Sequence, residues 1–476
     1  VPAFLTSNAP FAGVIAAGTA LRLIAMVAYR PVLMLQRDAY AYLNTAIDLQ
    51  PSGLRPALYS ALIKPFVVLD VLWVVPVFQH LIGLGIATVL YALLRRLGAG
   101  PVVGAVGVVP VLLDGYQLNI EQYLLTETLF EAFTVAALVL VTWTIRPPIV
   151  ATLGAGALLG GAVLLRFVGI VTIATVVAFA LVRRIGWLDV GALAAAFASP
   201  LLLYASWYAA DTGEFTIANR GGLFLYGRVV EFADCERVAV PTDERSLCPD
   251  PDARAPQQKG LFTSGLDLKE AQENPQLEKR VVSFSRRMIS NMPADYAAAV
   301  ASDFARYFEW TSPDSREPGG ARWRFPETID DVNPHPDVAR NRGSPPPESG
   351  LGDTFLIESE PASFLRAYQG IAWTWGPALV IIVGLGIAGS LLGGWSTRGL
   401  GPVAALFTLS ALALMLVPTL ITVYHVRYVV PALPLLGVAG ALGFTALQKR
   451  FGLGARARKP PDSPAQPSQV RNNVRV

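Results

Sequence analysis

Charge is what this sequence has least of. Aspartate, glutamate, lysine and arginine make up 15% of its 476 residues, against about 25% in an ordinary soluble domain. Hydrophobic residues make up 53%, and mean hydropathy is +0.46. That balance excludes a soluble globular enzyme and a disordered chain. Cysteine is scarcer still. Two cysteines cannot build a disulfide-rich mini-domain, nor by themselves a zinc or iron–sulfur site. A net charge of +3 is too small to point to nucleic acid. Walker loop, HExxH and strand-plus-GxGxxG signatures are absent. Asp38-Ala39-Tyr40 is not a DxD pair, so neither a metal nor a cofactor is indicated. There is no internal repeat.

What is present is a series of long apolar runs. A membrane span needs about 20 mostly apolar residues. Ten spans are expected, near 10–29, 73–94, 101–116, 124–145, 149–165, 167–182, 187–208, 371–392, 400–423 and 428–447. The third, fifth and sixth are short. Arg166 divides one long apolar stretch and reads as a tight turn between two spans. Arg95, Arg96, Arg146, Arg183, Arg184, Arg398 and the tail from Lys449 fall on one side, which the positive-inside rule makes cytoplasmic. The segments 30–72 and 209–370 then lie outside. The fold class expected is an all-α polytopic membrane protein with a mixed extracytoplasmic loop domain. Four parts follow: a membrane module over 1–208 with an outer loop at 30–72, an outer domain at 209–370, further spans over 371–447, and a basic, disordered cytoplasmic tail at 448–476.

The outer insertion is acidic on balance and holds both cysteines, Cys235 and Cys248. An oxidising compartment permits a bridge between them; two free thiols in a loop is the other reading. Gly221 to Val230 reads as a strand. Residues 268–309 read as helix, with Pro293 at a helix start. Ser312 to Gly352 reads as irregular loop.

Charges in or beside spans are expensive and therefore candidates for function. In the first outer loop, Ala39, Leu43, Ala46 and Ile47 recur at helical spacing, giving an amphipathic helix at the membrane surface. Asp38 sits near its N-terminus, where the helix dipole favours an ionised carboxylate. It reads either as a base or as a helix cap and partner of Arg37. Glu127 and Glu131 share one helix face by their spacing of four. Arg166 lies at the level of Glu127, so the two read either as functional groups or as a structural pair joining spans. In Tyr424-His425-Val426-Arg427-Tyr428, Arg427 offers a fork of donors to a phosphate at headgroup level. Its other reading is an interfacial arginine beside an aromatic belt. His80, inside the second span, reads as structural.

The order of these motifs resembles the GT-C superfamily of integral membrane glycosyltransferases, and within it the branch of protein O-mannosyltransferases and lipid A aminoarabinose transferases. The resemblance is carried by Gln36-Arg37-Asp38 after the first span, Leu54-Arg55-Pro56, Gln79 opening the next span, and Thr126-Glu127-Thr128-Leu129-Phe130. It continues through Leu164-Leu165-Arg166, Asn291-Met292-Pro293 in the long outer loop, and Arg427-Tyr428 before the last span. It covers roughly 10–447 and is thin over 220–370.

The resemblance implies a helical module of about seven spans followed by a variable set. It implies a polyprenyl-phosphate sugar donor, of mannose or arabinofuranose type, and transfer to an acceptor hydroxyl on the outer face with inversion. The acceptor is a glycan, protein or lipid. Asp38 is implied as base, with Glu127 orienting or sharing the acid–base role. Arg55, Arg166 and Arg427 would hold the donor phosphate. Arg37, Tyr40, Tyr42, Tyr59 and His425 would line the substrate. A transporter of lipid-linked sugars is the competing reading; it calls for inverted repeats and broken helices at the midplane.

Overall fold

The structure is a computed structural model. It describes residues 8–34, 36–218, 221–249, 274–312, 323–328, 355–396 and 399–452. The described residues are mostly helical. The first span is α1 (Ala9–Ala28), followed by the two-residue strand β1 (Tyr29–Arg30). Segment 30–72 then folds as α2 (Gln36–Ile47), the amphipathic helix expected there, and α3 (Leu58–Val68), a second helix that was not expected. Next come α4 (Val74–Arg96), α5 (Pro101–Gly107), α6 (Val109–Leu113) and α7 (Gly115–Gln122). After these come α8 (Glu127–Thr142), α9 (Ile149–Leu165), α10 (Ile170–Val182) and α11 (Trp187–Thr212).

Within the insertion lie α12 (Gly222–Val229), α13 (Pro275–Asn291) and α14 (Pro293–Arg306). Strand β2 (Leu356–Ile357) pairs antiparallel with β1, tying the end of the insertion to the end of the first span. The chain continues through α15 (Ser359–Ile371), α16 (Gly376–Leu392), α17 (Gly401–Ile421) and α18 (Leu433–Phe451).

Among the described residues, five helices are long and apolar enough to cross a membrane, and α15 with α16, bent by 57°, would make a sixth. The protein is thus built as a multi-pass membrane protein, but the count of ten is not met by this criterion. The stretch 101–116 departs most. Pro110 opens α6 after a break at Val108, and Asp114 caps α7 by accepting from the amides of Tyr116 and Gln117. Proline and a capping acid divide what hydropathy alone reads as one run. The α9 and α10 segments, 17 and 13 residues, remain short, with Arg166 in an extended conformation between them.

The strand expected at Gly221–Val230 is a helix, α12. Leu223, Tyr226 and Val230 recur at helical spacing and pack with Val281, Phe284 and Met288 of α13. The Tyr226 and Phe284 rings lie 5.8 Å apart. Packing on a neighbouring helix outweighs the strand propensity of Leu-Phe-Leu-Tyr. The Tyr226 hydroxyl donates to the Leu247 carbonyl, beside the bond joining Cys235 to Cys248. Among the described residues the insertion is therefore helical rather than mixed, β2 apart. The helix expected at 268–309 appears as α13 and α14, with Pro293 opening the second; 268–273 lie outside the described residues. So do most of the loop at 312–352, Arg398 and the tail from 453.

Small residues let the last helices approach closely. A Cβ on Gly443 would stand 1.9 Å from the Leu385 carbonyl oxygen, and one on Gly437 would stand 2.0 Å from the Gly107 oxygen.

Candidate active site

Five residues from five separate segments converge. Asp38 lies in the first turn of α2, Arg55 in the coil before α3, Glu127 at the start of α8, Arg166 after α9, and Arg427 in the short turn Val426–Tyr428 before α18. One Asp38 oxygen accepts from Arg55 Nη2. The other accepts from Arg427 Nη1 at 2.7 Å. Arg427 Nη1 also lies 3.9 Å from Glu127 Oε1, the oxygen that pairs with Arg166 Nη1. The chain is therefore Arg55–Asp38–Arg427–Glu127–Arg166, three cations to two carboxylates.

The cluster is half-open. The side chain of Arg55 is 27% exposed, while that of Glu127 is fully buried. Burial alone would raise the Asp38 carboxyl, but Arg55 and Arg427 outweigh it and hold it well below the usual carboxylate range. Asp38 is thus ionised at neutral pH. Arg427 keeps Nε buried with no hydrogen-bond partner among the described residues. Its guanidinium lies 5.4 Å from the rings of both Trp323 and Tyr428. Arg166 faces the same Tyr428 ring at 5.5 Å.

The aromatic candidates are distributed around this centre. Tyr42 is buried, and its ring meets Tyr59 edge-on at 5.0 Å. Tyr59 is fully buried and donates to Gln79 Oε1, so it stands behind Tyr42. Gln79 in turn donates to the Glu121 and Tyr123 carbonyls, locking the turn before α8. Tyr40 is buried on α2. His425 packs edge-on against Tyr428 at 5.3 Å. Arg37 lies in α2, but its side chain is outside the described residues.

Glu131, one turn deeper than Glu127, belongs to a second network that the sequence reading missed. Its Oε2 accepts from Gln117 Nε2 at 2.9 Å, and the same nitrogen reaches Glu121 Oε1. Glu121 is clamped by Arg22 at 2.7 Å and lies 2.8 Å from His80 Nδ1. All are almost fully buried. Arg22 is a lone charge inside the first span, a signal that was available. Three further residues had no local signal. Arg228 is fully buried, reaches Asp303, and donates twice to the Thr422 carbonyl. Trp323 packs beside Arg427 although over 100 residues separate them in sequence.

The chain matches no sequence-family profile and no curated protein. Among solved structures it is similar to the Saccharomyces cerevisiae protein O-mannosyltransferase Pmt1–Pmt2 complex bound to the sugar donor. That likeness has 16% identity over 47% of this chain and 36% of the other, with a TM-score of 0.34. It is similar to the archaeal oligosaccharyltransferase AglB from Archaeoglobus fulgidus, in complex with an inhibitory peptide and a dolichol-phosphate. There the values are 11% identity, 94% and 52% coverage, and a TM-score of 0.41. It is also similar to ArnT from Cupriavidus metallidurans bound to undecaprenyl phosphate, at 15% identity, 95% and 82% coverage, and a TM-score of 0.36. The chain spans about a third of the first of these and about half of the second. At these levels the likenesses carry no inference about activity, which has to come from the charged cluster itself.

Proposed function

We propose that this protein is a membrane glycosyltransferase that moves a sugar from a polyprenyl phosphate to an acceptor hydroxyl at the outer membrane face. The observation that carries the reading is the half-open cluster of three arginines and two carboxylates, with one cation in excess and a buried Arg427 Nε–H left to donate. An excess cation beside an ionised carboxylate suits a reaction that needs both an anion site and a base.

In this reading the donor phosphate binds Arg55, Arg166 and Arg427. Asp38 takes the proton of the acceptor hydroxyl as that oxygen attacks the anomeric carbon. The bond from that carbon to the phosphate oxygen breaks, and the electron pair leaves with the polyprenyl phosphate. Its developing charge is met by the arginines, where a well-placed donor is commonly worth about 3–4 kcal/mol. Direct displacement inverts the anomeric centre. Glu127 keeps Arg166 and Arg427 aimed at the phosphate.

While Asp38 is paired with two arginines it is a weak base. A phosphate that draws Arg55 and Arg427 toward itself weakens both pairs and raises the basicity of Asp38 when the donor is in place. Sugars of mannose or arabinofuranose type and glycan, protein or lipid acceptors are all compatible with this scheme. The insertion over 209–370 serves as an extracytoplasmic domain. Topology supports the outer placement, since the basic loop residues of the sequence lie at the opposite ends of the spans.

The test compares a deletion strain carrying the wild-type protein with one carrying Asp38→Asn at equal expression. Lipid mass spectrometry is expected to find one polyprenyl-phosphate sugar accumulating in the variant, with turnover lowered about 100-fold or more. Lipid profiles identical to wild type would remove Asp38 from the chemistry and the reading with it.

A further inference from the structure

The loop that carries Arg427 has little structure of its own. Residues 422–425 are coil between α17 and the turn at Val426–Tyr428. What holds them comes from the insertion. Arg228 of α12 donates to the Thr422 carbonyl through Nε at 3.1 Å and Nη2 at 2.6 Å. Asp303 of α14 pairs with Arg228 and accepts from the Tyr424 amide at 2.8 Å. The Tyr296 hydroxyl donates to the Leu420 carbonyl at 2.8 Å. Tyr307 packs its ring on Tyr424 at 4.8 Å.

A second part of the insertion reaches the guanidinium itself. Trp323 is 2% exposed. Its carbonyl accepts from Asn119 of α7 and, at 2.8 Å, from Gln369 of α15. Gln369 Oε1 also accepts from the Phe325 amide at 2.9 Å. The Pro326 carbonyl accepts from the Tyr29 hydroxyl and from Arg366, and Phe325 stacks on Tyr29 at 5.3 Å. This segment is seated in the membrane module, and its indole lies 5.4 Å from the Arg427 guanidinium, as the Tyr428 ring does.

We infer that Trp323, Arg228 and Asp303 are positioning residues: two separate parts of the outer insertion aim the Arg427 guanidinium at Asp38 and at the phosphate site. The inference rests on the proposed donor chemistry for its functional meaning, but the positioning itself does not need a ligand. A cation held against two rings, on a backbone clamped through Thr422 and Tyr424, has few other orientations to visit. The phosphate fork is thereby pre-organised, which lowers the ordering cost of binding an anion.

Two measurements on the full chain in lipid nanodiscs separate the parts. The first is labelling by phenylglyoxal, an arginine-specific reagent, mapped by peptide mass spectrometry. Trp323→Leu and, separately, Arg228→Lys are expected to speed modification of Arg427 several-fold and leave Arg55 and Arg166 unchanged. Trp323→Phe, which keeps a ring face, is expected to keep Arg427 slow. Unchanged labelling, or equal acceleration at all three arginines in both variants, overturns the inference.

The second is titration with undecaprenyl phosphate. Trp323→Leu is expected to weaken its binding about tenfold, as a misaligned Arg427 forfeits about one charge-assisted hydrogen bond to the phosphate. In an Arg427→Gln background the same change should cost nothing further. Additive losses overturn the inference. Wild-type protein that ignores undecaprenyl phosphate while the labelling result holds would sink the donor reading and leave the positioning standing.

Discussion

Glu231 shows how one buried side chain can set a pH dependence. It lies next to the Arg228 clamp, accepting from Arg228 Nη1 at 2.8 Å. Burial pushes its carboxyl up to about 7, with Asp303 adding to the rise and Arg228 and Arg306 opposing it. The folded chain therefore holds a proton that the unfolded chain gives up near the ordinary carboxylate value. Below that value both states are protonated and the site is neutral to stability. As pH rises from there toward about 7, stability falls, and above that it stays lower. Thermal unfolding of Glu231→Gln should lose less stability than wild type between pH 5 and pH 8. Parallel pH curves for the two proteins would show that Glu231 is not the group responsible. Asp38 is the opposite case. Its carboxyl is depressed by Arg55 and Arg427, so its contribution to stability is present at neutral pH and is lost only on strong acidification. Asp38 could be singled out from sequence because it follows the first span and starts an amphipathic helix. Glu231 could not, because two of the charges beside it, Asp303 and Arg306, come from α14, about seventy residues away.

Among the elements, the last three membrane helices owe their spacing to glycine. Gly443 of α18 faces the Leu385 carbonyl of α16, and any side chain there meets backbone rather than a flexible tip. Gly443→Val should force the two helices apart, costing about 1–3 kcal/mol as overpacking does and lowering the unfolding temperature in detergent. Gly13 has open space around it, so Gly13→Val serves as the control that leaves it unchanged. Equal melting of the two variants would show that the α16–α18 approach is soft. The existence of these helices was readable from hydropathy, since a run of apolar residues has to leave water whatever its neighbours. Their true lengths were less so. Pro110 and Asp114 break the third run into α5, α6 and the start of α7, and Asp114 does so partly through bonds to the Thr374 amide and hydroxyl, a partner remote in sequence. α12 was misread for the same reason: its helical face is defined by α13.

Across the whole molecule, two charged networks join separate elements. The inner one pairs Arg22 of the first span with Glu121 of α7 and brings in His80 of α4. Removing one member of a buried pair strands the other, at about 3–5 kcal/mol. Arg22→Met should therefore lower the unfolding temperature strongly, while Arg22→Met combined with Glu121→Met should recover part of the loss. A double variant less stable than the single one would show that the network does more than neutralise its own charges. The outer network is the cluster from Asp38 to Arg166, and it is assembled across 389 positions of sequence between Asp38 and Arg427.

The sequence alone determined the membrane character, the amphipathic helix with Asp38 in its first turn, the turn at Arg166, and a short list of charged residues that included all five of the cluster. Each is a local property: apolar length, helical period, or the cost of a charge next to lipid. The tertiary structure alone decided which of those charges touch, that Arg427 bridges Asp38 and Glu127, and that the insertion seats Trp323 and Arg228 against the Arg427 loop. Contacts between remote segments depend on how helices of similar apolar composition choose partners. That choice is made by shape, such as a glycine against a carbonyl, and by buried hydrogen bonds, which local periodicity does not record.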